Sequence, residues 1–100
     1  NPLLQRAAQK RAKELAEKFS HARPNGYSWA SAISMRYNFK KASELTARYY
    51  TDPQEVVDAW MSRASTKAKI ISKRYNEIGV GVYLDEDGFL YYAVIVAVRK

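Results

Sequence analysis

The chain of 100 residues contains no cysteine. Disulfides, thiolate metal centres and cysteine nucleophiles are thereby excluded together, and an apolar core has to hold the fold unaided. A single histidine, His21, is present, so an imidazole pair is unavailable. Glycine and proline are scarce, with 4 and 3 residues, and neither an internal repeat nor a low-complexity tract breaks the chain. The longest apolar stretch, Ala93 to Val98, falls far short of the ~20 residues of a bilayer-spanning helix. The sequence opens directly on Asn1-Pro2 and contains no initiator Met, signal-type segment or lipidation motif, and the expectation is a fragment or mature piece of a longer protein.

What is present is positive charge. Seventeen Lys and Arg against 10 Asp and Glu give a formal charge of +7, which favours anionic neighbours such as nucleic acid, anionic lipid or acidic polymers. Apolar residues make up 47% and charged residues 27%, a balance that fits one domain over residues 1–100.

The pattern of apolar residues predicts a helix over 2–19. Asn1 suits the N-cap, Pro2 the first helical position, and Leu4, Ala8, Leu15 and Phe19 recur at helical spacing. Pro24-Asn25-Gly26 marks a turn. A short helix is expected from Ser28 through Ile33, whereas 38–48 shows no clean period and reads as irregular. Asp52-Pro53-Gln54-Glu55 is a helix start with capping-box spacing, predicting a helix over 53–62 with Val56, Val57, Trp60 and Met61 buried. Another is expected from Ser65 or Thr66 to about Ser72 on Ala68, Ile70 and Ile71. Ile78, Val80, Val82 and Leu84 then alternate with Gly79, Gly81 and Tyr83, a turn follows at Asp85-Glu86-Asp87-Gly88, and Phe89 to Val98 returns as a strand. Its near-continuous apolar run implies burial on both faces, so helices are expected on both sides of the sheet: an α+β sandwich.

The ordered blocks Leu4-Gln5-Arg6-Ala7-Ala8, Phe19-Ser20-His21, Arg23-Pro24, Glu44, Val56-Val57-Asp58-Ala59-Trp60-Met61 and Ile78-Gly79-Val80-Gly81-Val82-Tyr83 resemble the bacterial branch of the CAP superfamily, that of cysteine-rich secretory proteins, antigen 5 and pathogenesis-related-one proteins. The resemblance implies an α-β-α sandwich with a central, largely antiparallel sheet, and an extracellular, secreted or cell-wall-associated setting. It also implies a further helix ahead of the point where this chain starts, without which an apolar patch would be left exposed.

In that family a central cavity holds two histidines and one or two acids, which in some members bind a divalent metal. His21 matches the first histidine and Glu44 one acid. Thr66 stands where the second histidine belongs, and Arg63 where eukaryotic members place a second glutamate. One imidazole and one carboxylate fall short of the roughly three protein ligands a catalytic first-row metal commonly takes, so no metal or other cofactor is expected. His21 and Glu44 are expected to hydrogen-bond one another at the cavity floor. No Gly-x-Ser-x-Gly elbow exists, Ser20 is adjacent to His21 in sequence, and Asp52, Glu55 and Asp58 suit a cap and a solvated face better than a carboxylate pair. Gly79-Val80-Gly81 lies within a strand and is no phosphate loop. Trp29, Trp60 and Phe19 are assigned to packing.

The basic residues fall into two groups, Arg6, Lys10 and Arg11 on the first helix and Lys67, Lys69, Lys73 and Arg74 late in the chain. The resulting expectation is a non-catalytic secreted or surface domain with a degenerate His/Glu cavity, binding an anionic polymer, a lipid or a protein partner through the cavity rim around His21, Glu44 and Thr66 and the adjacent basic faces, with peripheral membrane contact included. Nucleic acid is the weaker candidate, since Glu14 and Glu17 interrupt the first cluster and no recognition motif is present. The alternatives are a basic nucleic-acid-binding domain and a CAP-type metal-dependent hydrolase with a residual site.

Overall fold

A computed structural model describes residues 1–100. The elements run α1 (Pro2–Glu17), a 3₁₀ turn η1 (Trp29–Ala32), β1 (Phe39–Arg48), α2 (Pro53–Met61), α3 (Ala64–Ile71), β2 (Glu77–Leu84) and β3 (Leu90–Arg99). The strands form one antiparallel sheet in the order β1-β3-β2, so the most apolar strand takes the centre. Along β3, Tyr91, Ala93, Ile95 and Ala97 pack toward α1, and Tyr92 and Val96 toward α2. The two-sided burial expected of this strand is what the sheet provides, and the chain is an α+β sandwich with α1 on one face and α2 and α3 on the other.

Asn1 Oδ1 accepts from the Leu3 and Leu4 N–H groups at 2.8 and 3.3 Å, and Pro2 occupies the first turn. The helix is two residues shorter than its apolar spacing predicts. Lys18 turns extended at φ −148°, which leaves Phe19 outside it and partly exposed, its ring stacked under the Arg48 guanidinium at 4.4 Å. Asp52 caps α2 through the Gln54 N–H at 2.9 Å.

The main correction is β1, a strand where the sequence predicts an irregular segment. Its apolar alternation is hidden because polar side chains take inward positions and are satisfied there: Glu44 meets Arg11, and Ser43 Oγ lies 2.7 Å from the Tyr75 hydroxyl. A register shift between Phe39 and Lys41 breaks the period further. Two burial assignments also change. Val57 is exposed on α2, and none of the α3 residues is buried, Ile70 and Ile71 included.

In β2 the alternation is inverted relative to the obvious reading. The glycines face the helix, while Ile78, Val80, Val82 and Leu84 remain 41–60% exposed. A Cβ on Gly79 would collide with the Leu4 backbone, and one on Gly81 with the Ala8 carbonyl. Contact between helix backbone and strand backbone therefore requires glycine at both positions. The exposed face of β2 and Val57 and Ile70 line a groove of about 440 Å³ between sheet and helices.

Gly81→Ala is expected to destabilise the chain by about 3 kcal/mol, the upper range for overpacking, because the obstructing atoms belong to helix backbone and cannot rotate aside. A urea midpoint within error of the native value would contradict this packing.

Candidate functional site

Glu44 projects from β1 toward α1 and is fully buried. A carboxylate removed from water must be paired, and three side-chain contacts converge on it. Arg11, also fully buried, donates from Nε to Oε2 at 2.7 Å and from Nη2 to Oε1 at 3.2 Å. His21 Nδ1 lies 2.7 Å from Oε1. An ionised carboxylate only accepts, so Nδ1 carries the proton and the imidazole is held by its buried edge, with 59% of its side chain exposed.

The network extends outward from Arg11. Its Nη1 donates to Glu14 at 3.0 Å and its Nη2 to the Ser20 carbonyl at 2.6 Å, which fixes the chain just ahead of His21. Arg23 closes the far side with bonds to both Glu14 oxygens and to Ser31 Oγ. Burial by itself would raise the Glu14 pKa, but hydrogen bonds from Arg23 and then Arg11 outweigh it and hold the carboxyl below the usual carboxylate range.

The structure thus brings together His21 and Glu44 of the four cavity residues. Arg63 and Thr66 stand at the α2–α3 junction. Thr66 Oγ1 donates to the Trp60 carbonyl at 2.5 Å and Arg63 is the N-cap residue of α3; neither bonds to His21 or Glu44. The basic grouping also needs correcting. Arg11 belongs to the core and offers no surface charge, because the Glu44 and Glu14 carboxylates consume its donors. Lys69 is half-buried, its ammonium 3.2 Å from the Glu44 carbonyl. Arg6 and Lys10 are exposed on α1, and Lys67, Lys73 and Arg74 on or just after α3, so the two groups occupy opposite faces of the sheet. Arg11 is legible from spacing: positions 4, 7, 8, 11, 12 and 15 form the buried stripe of α1, and an arginine on that stripe requires a buried anion.

The donor set does not suit a divalent metal. No group of three or more His, Cys, Asp and Glu side chains comes together, and both Glu44 carboxylate oxygens are engaged by the guanidinium. A serine hydrolase arrangement is equally unsupported. Ser20 Oγ accepts from the Ala22 N–H at 3.0 Å, and Ser43 is engaged with Tyr75; neither is paired with His21.

A separate feature emerges only from the folded chain. Arg6 and Lys10 from α1 and Arg36 from the segment after η1 surround a depression of about 320 Å³, whose other lining residues are Leu3, Ala7, Ala32 and Ser34. Three cations border it and no carboxylate does.

Comparison with known proteins agrees with this architecture. The chain belongs to the CAP family, the cysteine-rich secretory protein family, whose family model matches residues 1–97. An outer surface protein from Borrelia burgdorferi superposes with a TM-score of 0.86 at 24% identity, over 100% of this chain and 76% of that one. An extracellular protein containing an SCP domain from Bacillus anthracis str. Ames superposes with a TM-score of 0.78 at 21% identity, over 97% of this chain and 32% of that one. Both likenesses show the fold. Comparison with curated proteins gives no match.

Arg11→Ala is expected to cost about 3–5 kcal/mol, because it leaves Glu44 buried without its counter-charge. The paired replacement Arg11→Met with Glu44→Leu should cost less than either single change, and a double-mutant cycle in urea measures the difference. Glu14 generates a second expectation. Its pKa is depressed in the folded state, so its stabilisation is complete above the ordinary carboxyl value of 4.5 and is lost as pH falls through the lower folded value. Glu14→Gln should therefore flatten the acid limb of the stability–pH curve below that ordinary value, as followed by thermal melts.

Proposed function

We propose that this is a non-catalytic binding domain of an extracellular or surface protein, and that it engages an anionic polymer through the depression bordered by Arg6, Lys10 and Arg36. The observation that carries this reading is the convergence of three cations from two segments on one concavity whose lining holds no acidic side chain. The formal charge of +7 would draw a polyanion toward the domain from any direction. Glu44 is held by Arg11 on both oxygens, and neither Ser20 nor Ser43 nor a second acid is bonded to His21, which supports recognition rather than bond cleavage, since nucleophilic or metal chemistry needs such a partner beside the imidazole. The outer-surface and extracellular descriptions of the two structural neighbours favour a location where phosphate-rich or carboxylate-rich polymers are encountered.

Binding of a soluble poly(glycerol phosphate) should weaken steeply with added salt. Three phosphate contacts at about 0.7 each give a log–log slope of about −2. In the variant Arg6→Ala, Lys10→Ala, Arg36→Ala the slope should fall toward zero and the affinity with it. Absence of binding at low salt, or an unchanged slope in the triple variant, sinks the proposal. Tighter binding of single-stranded DNA than of the polymer would transfer it to nucleic acid, and retention only on anionic vesicles would transfer it to a lipid surface.

A further inference from the structure

A three-stranded open sheet has two unpaired edges, and an exposed apolar edge strand invites pairing with another chain. β2 has every attribute of such a hazard: it is an edge strand, eight residues long, and its outer face carries Ile78, Val80, Val82 and Leu84 half-exposed to water. Its backbone, however, is not open. Gln5 Oε1 accepts the Val80 N–H at 2.8 Å, Gln9 Oε1 accepts the Val82 N–H at 3.2 Å, and Gln9 Nε2 donates to the Val82 carbonyl at 2.8 Å. The Asn1 nitrogen lies 3.3 Å from the Ile78 carbonyl. One side of α1 thus supplies the hydrogen bonds that a neighbouring strand would supply.

The fit is geometric. Four residues of helix rise about 6.0 Å and two residues of strand about 6.6 Å, so glutamines at i and i+4 fall in step with strand residues at i and i+2. The approach is close enough only because Gly79 and Gly81 admit the helix backbone beneath Leu4 and Ala8. The opposite edge is treated alike. In β1 the Glu44 carbonyl accepts from Lys69 Nζ and the Thr46 carbonyl from Trp60 Nε1 at 3.0 Å, again alternate residues.

We propose that Gln5 and Gln9 are edge guards: they close β2 against strand addition, and their removal converts this edge into a self-association surface whose partner is a second copy of the chain, paired β2 to β2. Antiparallel pairing of two identical edges is self-complementary, and each copy would add an apolar β2 face to a continuous six-stranded sheet. The outer face of β2 between Ile78 and Leu84 carries no charge, so the repulsion between two chains of formal charge +7 acts away from the seam and is screened by salt.

The test is amide hydrogen exchange read residue by residue by NMR, combined with sedimentation velocity over a range of protein concentrations. In the native chain the Val80 and Val82 amides should be protected; exchange at the unprotected rate would overturn the proposal outright. In Gln5→Ala, Gln9→Ala these two amides should exchange severalfold faster in dilute solution. The variant should then associate as concentration rises, with the same amides regaining protection in the associated form. A variant that stays monomeric overturns the guard role. Association with Val80 and Val82 still exchanging freely also overturns it, by assigning the contact to the apolar groove instead. Gln5→Glu, Gln9→Glu keeps both acceptors and should stay monomeric. Should the double alanine variant not fold, Gln9→Ala alone opens both Val82 groups and gives the same readout there.

Discussion

A guanidinium and a carboxylate, each wholly withdrawn from water, set the geometry of this molecule. Removing either ion from solvent costs several kcal/mol, and the cost is offset only when the two meet with good geometry. Arg11 and Glu44 meet through two bonds of 2.7 and 3.2 Å. That contact fixes how α1 is rotated about its axis and where along β1 it lies. Once Arg11 points at Glu44, the residues three and seven positions earlier, Ala8 and Leu4, face the sheet, where they rest over Gly81 and Gly79. The remaining donors of Arg11 reach Ser20 and Glu14, so the same side chain also anchors the segment bearing His21. Buried ion pairs add little net stability in comparison with well-packed apolar residues, and their value here lies in selecting one orientation of a helix that small residues would otherwise let slide.

Small residues are the complement of that lock. The α1 stripe is rich in alanine and the facing strand presents glycine, so helix and sheet approach to backbone contact. One consequence is the inverted face of β2. Glycines occupy the covered side because only they fit beneath α1, which drives the larger Ile78, Val80 and Val82 to the other side. There α2 packs on β1 and β3, with Val56 and Trp60 against Leu45, Tyr92 and Val96, and α3 reaches β1 through Lys69, but the helices leave β2 partly bare. The groove is thus the geometric remainder of a close contact on the opposite face.

Much of the fold is legible in the chain. Asn1-Pro2 and Asp52-Pro53 carry their own start signals, and β3 can be read as a strand buried on both faces because its apolar run is unbroken by charge. β1 is illegible for a physical reason: strand periodicity is detected through apolar alternation, and in β1 the inward positions include Glu44 and Ser43, whose partners Arg11 and Tyr75 are 33 and 32 residues away in sequence. Local pattern carries no information about distant polar satisfaction. The same blindness affects the site. His21 and Glu44 are found through resemblance, whereas Arg11 is grouped with the surface cations because arginine is usually solvated, although its position on the apolar stripe points inward. Arg36 escapes a reading of the sequence because it joins Arg6 and Lys10 only when the segment after η1 folds back against α1.

The distribution of positive charge follows from these contacts. Arg11 and Arg23 are committed to carboxylates, Arg99 pairs with Glu77, Arg48 is stacked on Phe19 and Tyr49, and Lys69 is tied to the Glu44 carbonyl. These cations hold structure and are poorly placed to exchange partners with a ligand. Those around the depression on α1 have no such engagement: Arg6, Lys10 and Arg36 are exposed and take part in none of the ion pairs. On the proposed reading, recognition has been separated from the His/Glu centre. A carboxylate that serves as the anchor of a buried network cannot be drawn toward a substrate or a cation without leaving an unpaired guanidinium in the core, which is why binding is proposed on side chains whose movement leaves the fold intact.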